Sequence, residues 1–243
     1  MDRLIYTSMS GAKYLLERQA TLANNLANAT TTGFRADTVG LRAVPTVSAQ
    51  AGTRVFTVET TIGADFTPGP MTATGRNLDV AVQGPGWLTV QAADGAEAYT
   101  RNGSLQVGSD GTLQLPNGLS VLGDGGTLTV PPNSEVTVAP DGTVSAKVTG
   151  QTAINNVGRI KLVNPETNEL SKGADGLFRL ANGETADADP NVRVAEGTLE
   201  GSNVNVVEAM IGMISAARQF EMQMKLLSSA DQNEQKASSL IAA

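Results

Sequence analysis

The sequence predicts an α+β protein with long N- and C-terminal amphipathic helices that form a coiled-coil-like helical domain, and a central all-β domain of short antiparallel strands. Three observations predict this class: a heptad pattern at the C-terminal end, the same pattern at the N-terminal end, and strand-like alternation with turn signals between them. The predicted segments are an N-terminal helix at 1–36, an extended connector with a short strand at 37–76, a central all-β domain at 77–196 and a C-terminal helix at 197–243.

The N-terminal segment is predicted to be a helix from about Asp2 to Ala29. Its stripe alternates at spacings of four and three and comprises Ile5, Met9, Ala12, Leu16, Gln19, Ala23 and Leu26. The β-branched run Thr30–Thr32 disfavours helix, and Gly33 can supply a left-handed cap. The polar residues Asn24, Asn25 and Asn28 have two interpretations: local bonds to the carbonyls of the last turn, or a polar contact surface for a neighbouring subunit.

The connector at 37–76 is rich in Thr, Val, Ala, Gly and Pro. One short strand is predicted in it, Arg54–Glu59, where apolar and polar residues alternate. Prolines at 45, 68 and 70 interrupt the rest. So long a connector is unusual inside a compact domain, which favours an ordered segment that lies along other subunits.

The central region alternates in short strand-like runs from Leu78 to about Val194. Asp-Gly pairs at 94–95, 110–111, 141–142 and 175–176 separate these runs and predict hairpin turns of type I′. Many short strands without intervening helices favour a sandwich or an irregular barrel. A calcium loop is disfavoured because the Asp-Gly pairs lack alternating acidic ligands.

The C-terminal segment carries the longest helical pattern. Asn205 is placed to cap the first free amides, and Glu208 completes a capping-box pattern. About 38 residues at a rise of roughly 1.5 Å would make a helix on the order of 57 Å long, more than one small domain can cover. Its stripe comprises Val206, Met210, Met213, Ala217, Phe220, Met224 and Leu227.

The two helices need partners, because an isolated helix has little stability in water. They must pair with each other, with other copies of the chain, or with both. The residues alone leave these alternatives open, including a simple intramolecular hairpin of helices.

Composition excludes several classes of function. The chain has no Cys and no His, which removes thiolate catalysis, zinc-cysteine sites and the commonest general base, so no cofactor and no metal are expected. A net charge of −7 without a basic run argues against nucleic acid as a partner. No stretch of about 18 apolar residues predicts a membrane span, and the first residues lack the apolar core of a cleavable signal peptide.

Two alternatives to a structural protein follow from the β region. A carbohydrate-active enzyme is the first, because Trp87 and scattered carboxylates could bind sugars, but most acidic residues lie in turns or on the helices. A secreted adhesin is the second, and it would normally carry a signal peptide. By composition alone the chain is expected to be a soluble cytosolic protein, unless an exporter that needs no cleaved signal moves it.

Three segments, in order along the chain, carry a resemblance to a known family. They are Asn24–Asn28 with Thr32–Arg35, then Leu78–Val82 with Gly84 and Tyr99–Gly103, then Glu200–Asn205 before the C-terminal helix. These resemble the signatures of bacterial flagellar rod and hook proteins. Three further segments resemble a proximal-rod member, with a distal-rod or hook-type axial protein as the alternative: Leu41–Pro45, Trp87–Val90, and Arg218–Glu221 with Gln223–Lys225.

The resemblance implies a non-enzymatic structural subunit of the basal-body rod, the drive shaft that transmits motor torque to the hook and filament. It implies as partners other copies of the chain, neighbouring proximal and distal rod proteins, and the flagellar type III export apparatus. It also implies a position in the periplasm, reached without a cleaved signal. We expect the terminal helices to be poorly ordered in the free monomer and to fold on assembly. The candidate assembly residues are the two stripes with Asn24, Asn25, Asn28, Ser202 and Asn203.

Overall fold

The computed structural model describes residues 2–45 and 55–241, and side chains at 9–40, 63–233 and 235–236. These residues have the predicted α+β fold. The helices are α1, Asp2–Ala27, and α2, Val206–Ile241. The strands described between them are β1 Asp37–Pro45, β2 Val55–Ala64, β3 Met71–Ala73, β4 Val80–Gln83, β5 Trp87–Gln91, β6 Glu97–Thr100, β7 Gln106–Val107, β8 Leu113–Gln114, β9 Leu122–Gly123, β10 Gly126–Thr127, β11 Ser134–Val138, β12 Thr143–Val148, β13 Ile154–Arg159, β14 Leu162–Val163, β15 Leu170–Lys172, β16 Phe178–Leu180, β17 Arg193–Glu196 and β18 Thr198–Glu200.

The chain divides into two compact units. The helical unit comprises Met1–Ala29, Asp37–Asp65 and Val204–Ala243. The β unit comprises Thr30–Ala36 and Phe66–Asn203. Each unit therefore joins segments from distant parts of the sequence.

The two helices of the helical unit run antiparallel. A methyl group added at Gly11 would lie 3.2 Å from Nε2 of Gln223, and one added at Gly212 would lie 3.0 Å from a methyl of Leu22. The predicted cap of α2 is present, since Oδ1 of Asn205 accepts hydrogen bonds from the amides of Val207 and Glu208 at 3.1 and 3.2 Å. The N-terminal helix thus packs along α2 and does not form an independent domain.

The rest of the helical unit is an antiparallel hairpin of β1 and β2, with a bulge between Thr38 and Gly40. The sequence predicted one short strand here, Arg54–Glu59, whose first residue lies outside the described residues. The described part of that strand belongs to β2, but β1 was missed. Polar and apolar residues do alternate along Thr38–Val44. Gly40 and the nearby Pro45 are unfavourable in strands, so the sequence did not predict one here.

The β unit is built from antiparallel ladders. The largest sheet has the order β14-β5-β6-β16-β15, and a second sheet has the order β11-β12-β13. Shorter pairs join β17 to β4, β18 to β3, β7 to β8 and β9 to β10. The core between them is made chiefly of Val, Leu and Ala, including fully buried Leu88, Val90, Leu113 and Ile160.

The Asp-Gly turns lie where the sequence placed them, but their type differs from the prediction. Positive φ occurs at Gly95, Gly111, Gly142 and Gly176, while Asn133 is the one non-glycine residue with positive φ in the described chain. A type I′ turn needs positive φ at both central residues, so these turns are type I turns followed by a left-handed glycine. The aspartates stabilise them: the Asp141 carboxylate, for example, accepts bonds from the amide and hydroxyl of Thr143 at 3.0 and 2.9 Å.

The strand-like runs of the sequence are short, and the strands of the β unit that fall outside them include β13, β15 and β17. β13 contains Asn155 and Asn156, both exposed, and lies at the edge of its sheet. Its sequence therefore lacks the apolar alternation of a half-buried strand.

Within the described residues, no helix is both long and apolar enough to cross a membrane.

Candidate assembly interface

One face of each terminal helix packs against the other helix. This face includes Ala12 on α1, and Ala209 and Ala216 on α2, all buried, with Gly212 between the latter two against Leu22. Small residues at this face let the two backbones approach closely. We call this face the packed seam.

The packed seam is one residue out of phase with the predicted stripes. On α1 the buried leucine is Leu15, where the stripe contains Leu16; on α2 the buried alanines are Ala209 and Ala216, where the stripe contains Met210 and Ala217. One residue turns a helix by about 100°. Apart from Ala12, which belongs to both, the predicted stripe residues therefore lie beside the packed seam rather than in it.

The stripe residues consequently differ in burial. On α1, Met9 and Leu16 are 59% and 51% exposed. The other α1 members are Ala12, buried; Gln19 and Leu26, half-buried; Ala23, exposed; and Ile5, whose side chain lies outside the described residues. The α2 members are Val206, Met210 and Met224, exposed, and Met213, Ala217, Phe220 and Leu227, half-buried.

A second group of exposed apolar side chains on α2 was missed by sequence reasoning. Val207, Ile211 and Ile214 are 66%, 62% and 56% exposed, and Met222 and Leu226 are similarly open. The signal was present in the sequence as three apolar doublets, 206–207, 210–211 and 213–214. Because these doublets follow one another at spacings of four and three, they place apolar residues on two adjacent faces of the helix. We call the exposed surface formed by Val206, Val207, Met210, Ile211 and Ile214 the open face.

The asparagines at the end of α1 tie the helix to β1. Asn25 is buried and binds both backbone groups of Asp37: its Nδ2 donates to the Asp37 carbonyl at 2.9 Å and its Oδ1 accepts from the Asp37 amide at 2.8 Å. Asn24 donates to Oδ2 of Asp37 at 2.6 Å. Asn28 donates to the Asn24 carbonyl at 2.9 Å, a local bond to the last turn. These amides thus fix where the chain leaves α1.

Ser202 and Asn203 occupy a comparable junction in the β unit. Oδ1 of Asn203 accepts from the amide of Ala36 at 2.7 Å, and its Nδ2 donates to the carbonyl of Thr67 at 3.0 Å. The amide of Asn203 donates to the carbonyl of Phe34 at 3.3 Å, and Ser202 is buried. Asn203 thereby joins three backbone segments of the β unit.

Beside this junction lies a buried ion cluster that sequence reasoning did not select. Glu200 is fully buried and accepts from Arg35 on Oε1 at 2.7 Å and from Arg101 on Oε2 at 3.0 Å. Arg101 also donates to the carbonyl of Gly84 at 2.7 Å, and its guanidinium lies 5.3 Å from the ring centre of Trp87. Burial lowers the pKa of the Arg101 guanidinium, while the Glu200 carboxylate acts to raise it.

The three charged residues come from the three segments that carry the family resemblance. Arg35 follows Gly33, whose amide donates to the Glu200 carbonyl at 2.8 Å and whose φ is +69°. A Cβ at Gly33 would come 2.3 Å from the Arg101 carbonyl carbon, so only glycine fits there. The signal in the sequence was one charged residue in each of Thr32–Arg35, Tyr99–Gly103 and Glu200–Asn205, which a local pattern predicts to be solvent-exposed.

The side chains that suggested a sugar-binding enzyme make contacts within the β unit instead. Trp87 is buried, with its ring centre 4.6 Å from that of Phe178, so it offers no sugar platform. Glu97 holds the amine of Lys161 with both oxygens at 2.9 Å. Burial raises the pKa of the nearby Tyr99 to about 12, which keeps that phenol protonated. In the described residues no cluster of acidic side chains suits a metal ion.

Family models match three stretches of the chain. Residues 5–35 match the flagella basal body rod protein model, residues 81–146 the D1 domain of the flagellar hook protein FlgE/F/G, and residues 195–240 the C-terminal model of the flagellar basal body rod FlgEFG protein. The chain is 51% identical to flagellar basal-body rod protein FlgF of Salmonella typhimurium and 50% identical to that of Escherichia coli, each over 99% of both chains. It is 32% identical to FlgG of Buchnera aphidicola, over 90% of this chain and 92% of the relative.

Proposed function

This chain belongs to the FlgF family of flagellar basal-body rod proteins and is a non-enzymatic structural subunit of the rod, and we propose that it assembles there through the exposed apolar surfaces of its terminal helices. The open face of α2 carries this proposal. Val207 and Ile211 are 66% and 62% exposed, although the opposite side of the same helix is packed against α1. Contiguous exposed apolar surface marks an interaction site.

The packed seam and the open face lie on different sides of α2, and each has a separate role. The packed seam holds α1 and α2 of one subunit together, and the open face with the exposed stripe residues meets other subunits. Full burial of a large apolar side chain contributes roughly 1.5 to 3 kcal/mol, so completing the burial of a half-exposed one contributes about 1 kcal/mol. Several such residues on each of many subunits would make a stiff shaft.

We place the subunit in the proximal rod. The identities of 51% and 50% to FlgF of Salmonella typhimurium and Escherichia coli, against 32% to FlgG of Buchnera aphidicola, support this over a distal-rod assignment. Its neighbours would be further copies of the chain and other rod proteins, in a heterologous contact that repeats without closing.

A charge placed on the open face tests the assembly proposal. Ile214→Asp and Ile211→Asp should abolish motility in a strain that lacks the native gene, because each buries a carboxylate in the subunit contact. Gln219→Asp, an exposed polar position on the same helix, is the matched control and should support normal motility. Electron microscopy of purified basal bodies should show arrested rods with the two isoleucine variants.

Folding must be measured alongside, because a misfolded subunit would also fail. We expect both isoleucine variants to keep the helical circular dichroism of the wild-type monomer, since these side chains are already exposed. Normal rods with both variants would contradict assembly through the open face.

We further propose that the subunit crosses the inner membrane uncleaved through the flagellar type III export apparatus and joins the rod within the periplasm. Membership of the rod family supports this route. Mass spectrometry of the subunit from purified basal bodies should find an intact N-terminal segment. A shortened N-terminus, or secretion that persists when the export apparatus is deleted, would contradict it.

A further inference from the structure

A cavity of about 560 Å³ opens beside the buried ion cluster, within the β unit. Two charged and several apolar side chains line it. They include Arg35, Arg101, Phe66, Pro68, Met71 and Pro85. We call this cavity the arginine pocket.

The arginine pocket carries an unbalanced charge. Arg35 and Arg101 bring two positive charges, and Glu200 brings one negative charge. Among the side chains that the structure describes, neither guanidinium has a second carboxylate within ion-pair distance. In addition, Nε of each arginine is buried without a hydrogen-bond partner. Arg35 and Arg101 are only 2% and 5% exposed, so water does not replace the missing partner.

Such an arrangement is costly for a protein that stays a monomer. Two buried guanidinium groups share one carboxylate, so one of the two positive charges loses its hydration without a full counter-charge. A second carboxylate would balance the cluster, and guanidinium groups bind carboxylates in a forked geometry. The apolar walls formed by Phe66, Pro68 and Pro85 suit the aliphatic stem of an acidic side chain.

We propose that the arginine pocket receives the carboxylate of an Asp or Glu side chain from a neighbouring rod subunit. A net charge of −7 disfavours free anions at the surface, whereas a side chain on a packed neighbour is presented at high effective concentration. The pocket would thus fix the register between adjacent β units in the rod. This proposal rests on rod membership and not on assembly through the open face.

Met71 offers a direct way to test the pocket. It is 47% exposed, lines the pocket and lies opposite Glu200 in the ladder between β3 and β18. Residues that face each other across an antiparallel pair have side chains on the same side of the sheet. In Met71→Glu the subunit supplies the missing carboxylate itself, and Met71→Gln is the matched neutral variant.

The two variants should separate in both monomer stability and assembly. In the monomer, Met71→Glu should melt about 2 to 4 °C above Met71→Gln, because Arg35 and Arg101 together attract the new carboxylate more than Glu200 opposite it repels it. In cells that lack the native gene, Met71→Glu should block rod assembly, and Met71→Gln should support it. Equal melting temperatures, or normal rods with Met71→Glu, would overturn the proposal, as would arrested rods with both variants.

A small-molecule probe distinguishes a neighbour's carboxylate from a free anion. Sodium formate should raise the melting temperature of the wild-type monomer and of Met71→Gln but not that of Met71→Glu, relative to sodium chloride at equal ionic strength. Inorganic phosphate should give no comparable shift. Stabilisation by phosphate, together with rods that assemble normally in Met71→Glu, would assign the pocket to a free anion and overturn the proposal.

Crosslinking in the assembled rod identifies the occupant. A photo-reactive residue at Pro85, on the wall of the pocket, should crosslink in purified basal bodies to a peptide of another subunit that contains Asp or Glu. Crosslinks confined to the same chain would overturn the proposal. The isoleucine variants of the open face leave the pocket unchanged, so failure of one proposal does not imply failure of the other.

Discussion

The β unit and the helical unit use their apolar residues in opposite ways. In the β unit Leu88, Val90 and Leu113 are fully buried within one chain. In the helical unit Val207, Ile211 and Ile214 are more than half exposed, although they lie on a helix that already packs against another. The first unit closes its apolar core within one chain, and the second retains an exposed apolar surface.

This difference explains how one chain can serve two mechanical needs. A unit with a closed core folds without help from other chains, since its apolar area is already removed from water. A helix pair with an open face gains its full stability only when neighbours cover that face. Variants that act on one unit alone can therefore break or sharpen the comparison.

The largest expected effect is in the β unit. Glu200→Gln leaves Arg35 and Arg101 buried without a counter-charge, which should lower the free energy of unfolding by about 3 to 5 kcal/mol. Urea denaturation followed by Trp87 fluorescence measures this, because the ring lies 5.3 Å from the Arg101 guanidinium. Glu184→Gln, at an exposed position, is the control. Equal losses in the two variants would contradict a cluster that stabilises the β unit.

The next largest effect is at the junction of α1 and β1 in the helical unit. Asn25→Ala leaves the amide and carbonyl of Asp37 without their partners and should cost about 1 to 3 kcal/mol. Asn24→Ala removes the bond to the Asp37 carboxylate and the bond from Asn28, both at exposed positions, and should cost much less. Hydrogen exchange of peptides from α1 and β1 measures both. If Asn24→Ala proves the more damaging, the buried amide does not hold the junction.

A smaller effect is expected at the start of α2. Asn205→Ala removes the acceptor for two amides and should cost about 1 kcal/mol, seen as faster exchange in the first turn of the helix. Asn205→Ser keeps a capping oxygen and should behave like the wild type. A loss of the same size in Asn205→Ser would show that capping is not the cause.

The smallest effect concerns the turn carboxylates of the β unit. Hydrogen bonds from Thr143 lower the pKa of Asp141 below its usual 3.8, so this turn is stabilised fully above that pH and loses the contribution as the pH falls through the lowered pKa. Asp141→Asn should therefore lose less stability than the wild type between pH 5 and pH 2. Melting temperatures at the two pH values measure this, and identical pH dependence would contradict it.

The sequence predicted what depends on local pattern. Heptad spacing located both helices, Asn205 located the start of α2, and Asp-Gly pairs located the hairpin turns. These features follow from backbone geometry and from side chains close in sequence. Their positions could be read without knowledge of the fold.

The sequence did not reveal what depends on contacts between distant segments. Arg35, Arg101 and Glu200 meet only after three segments fold together, and each alone resembles a surface charge. The phase of the packed seam also depends on contacts between distant segments. Leu15 and Leu16 are both apolar, and local pattern does not show that Leu15 is the buried one.

Hydrogen exchange, compared between the free monomer and purified rods, tests the central claim most directly. In the monomer, peptides from α1 and α2 should exchange much faster than those from β5 and β6, and assembly should protect the helices while it leaves the strands unchanged. If α1 and α2 are as strongly protected as β5 and β6 in a monodisperse monomer, the helical unit is already complete and does not gain its stability from neighbours.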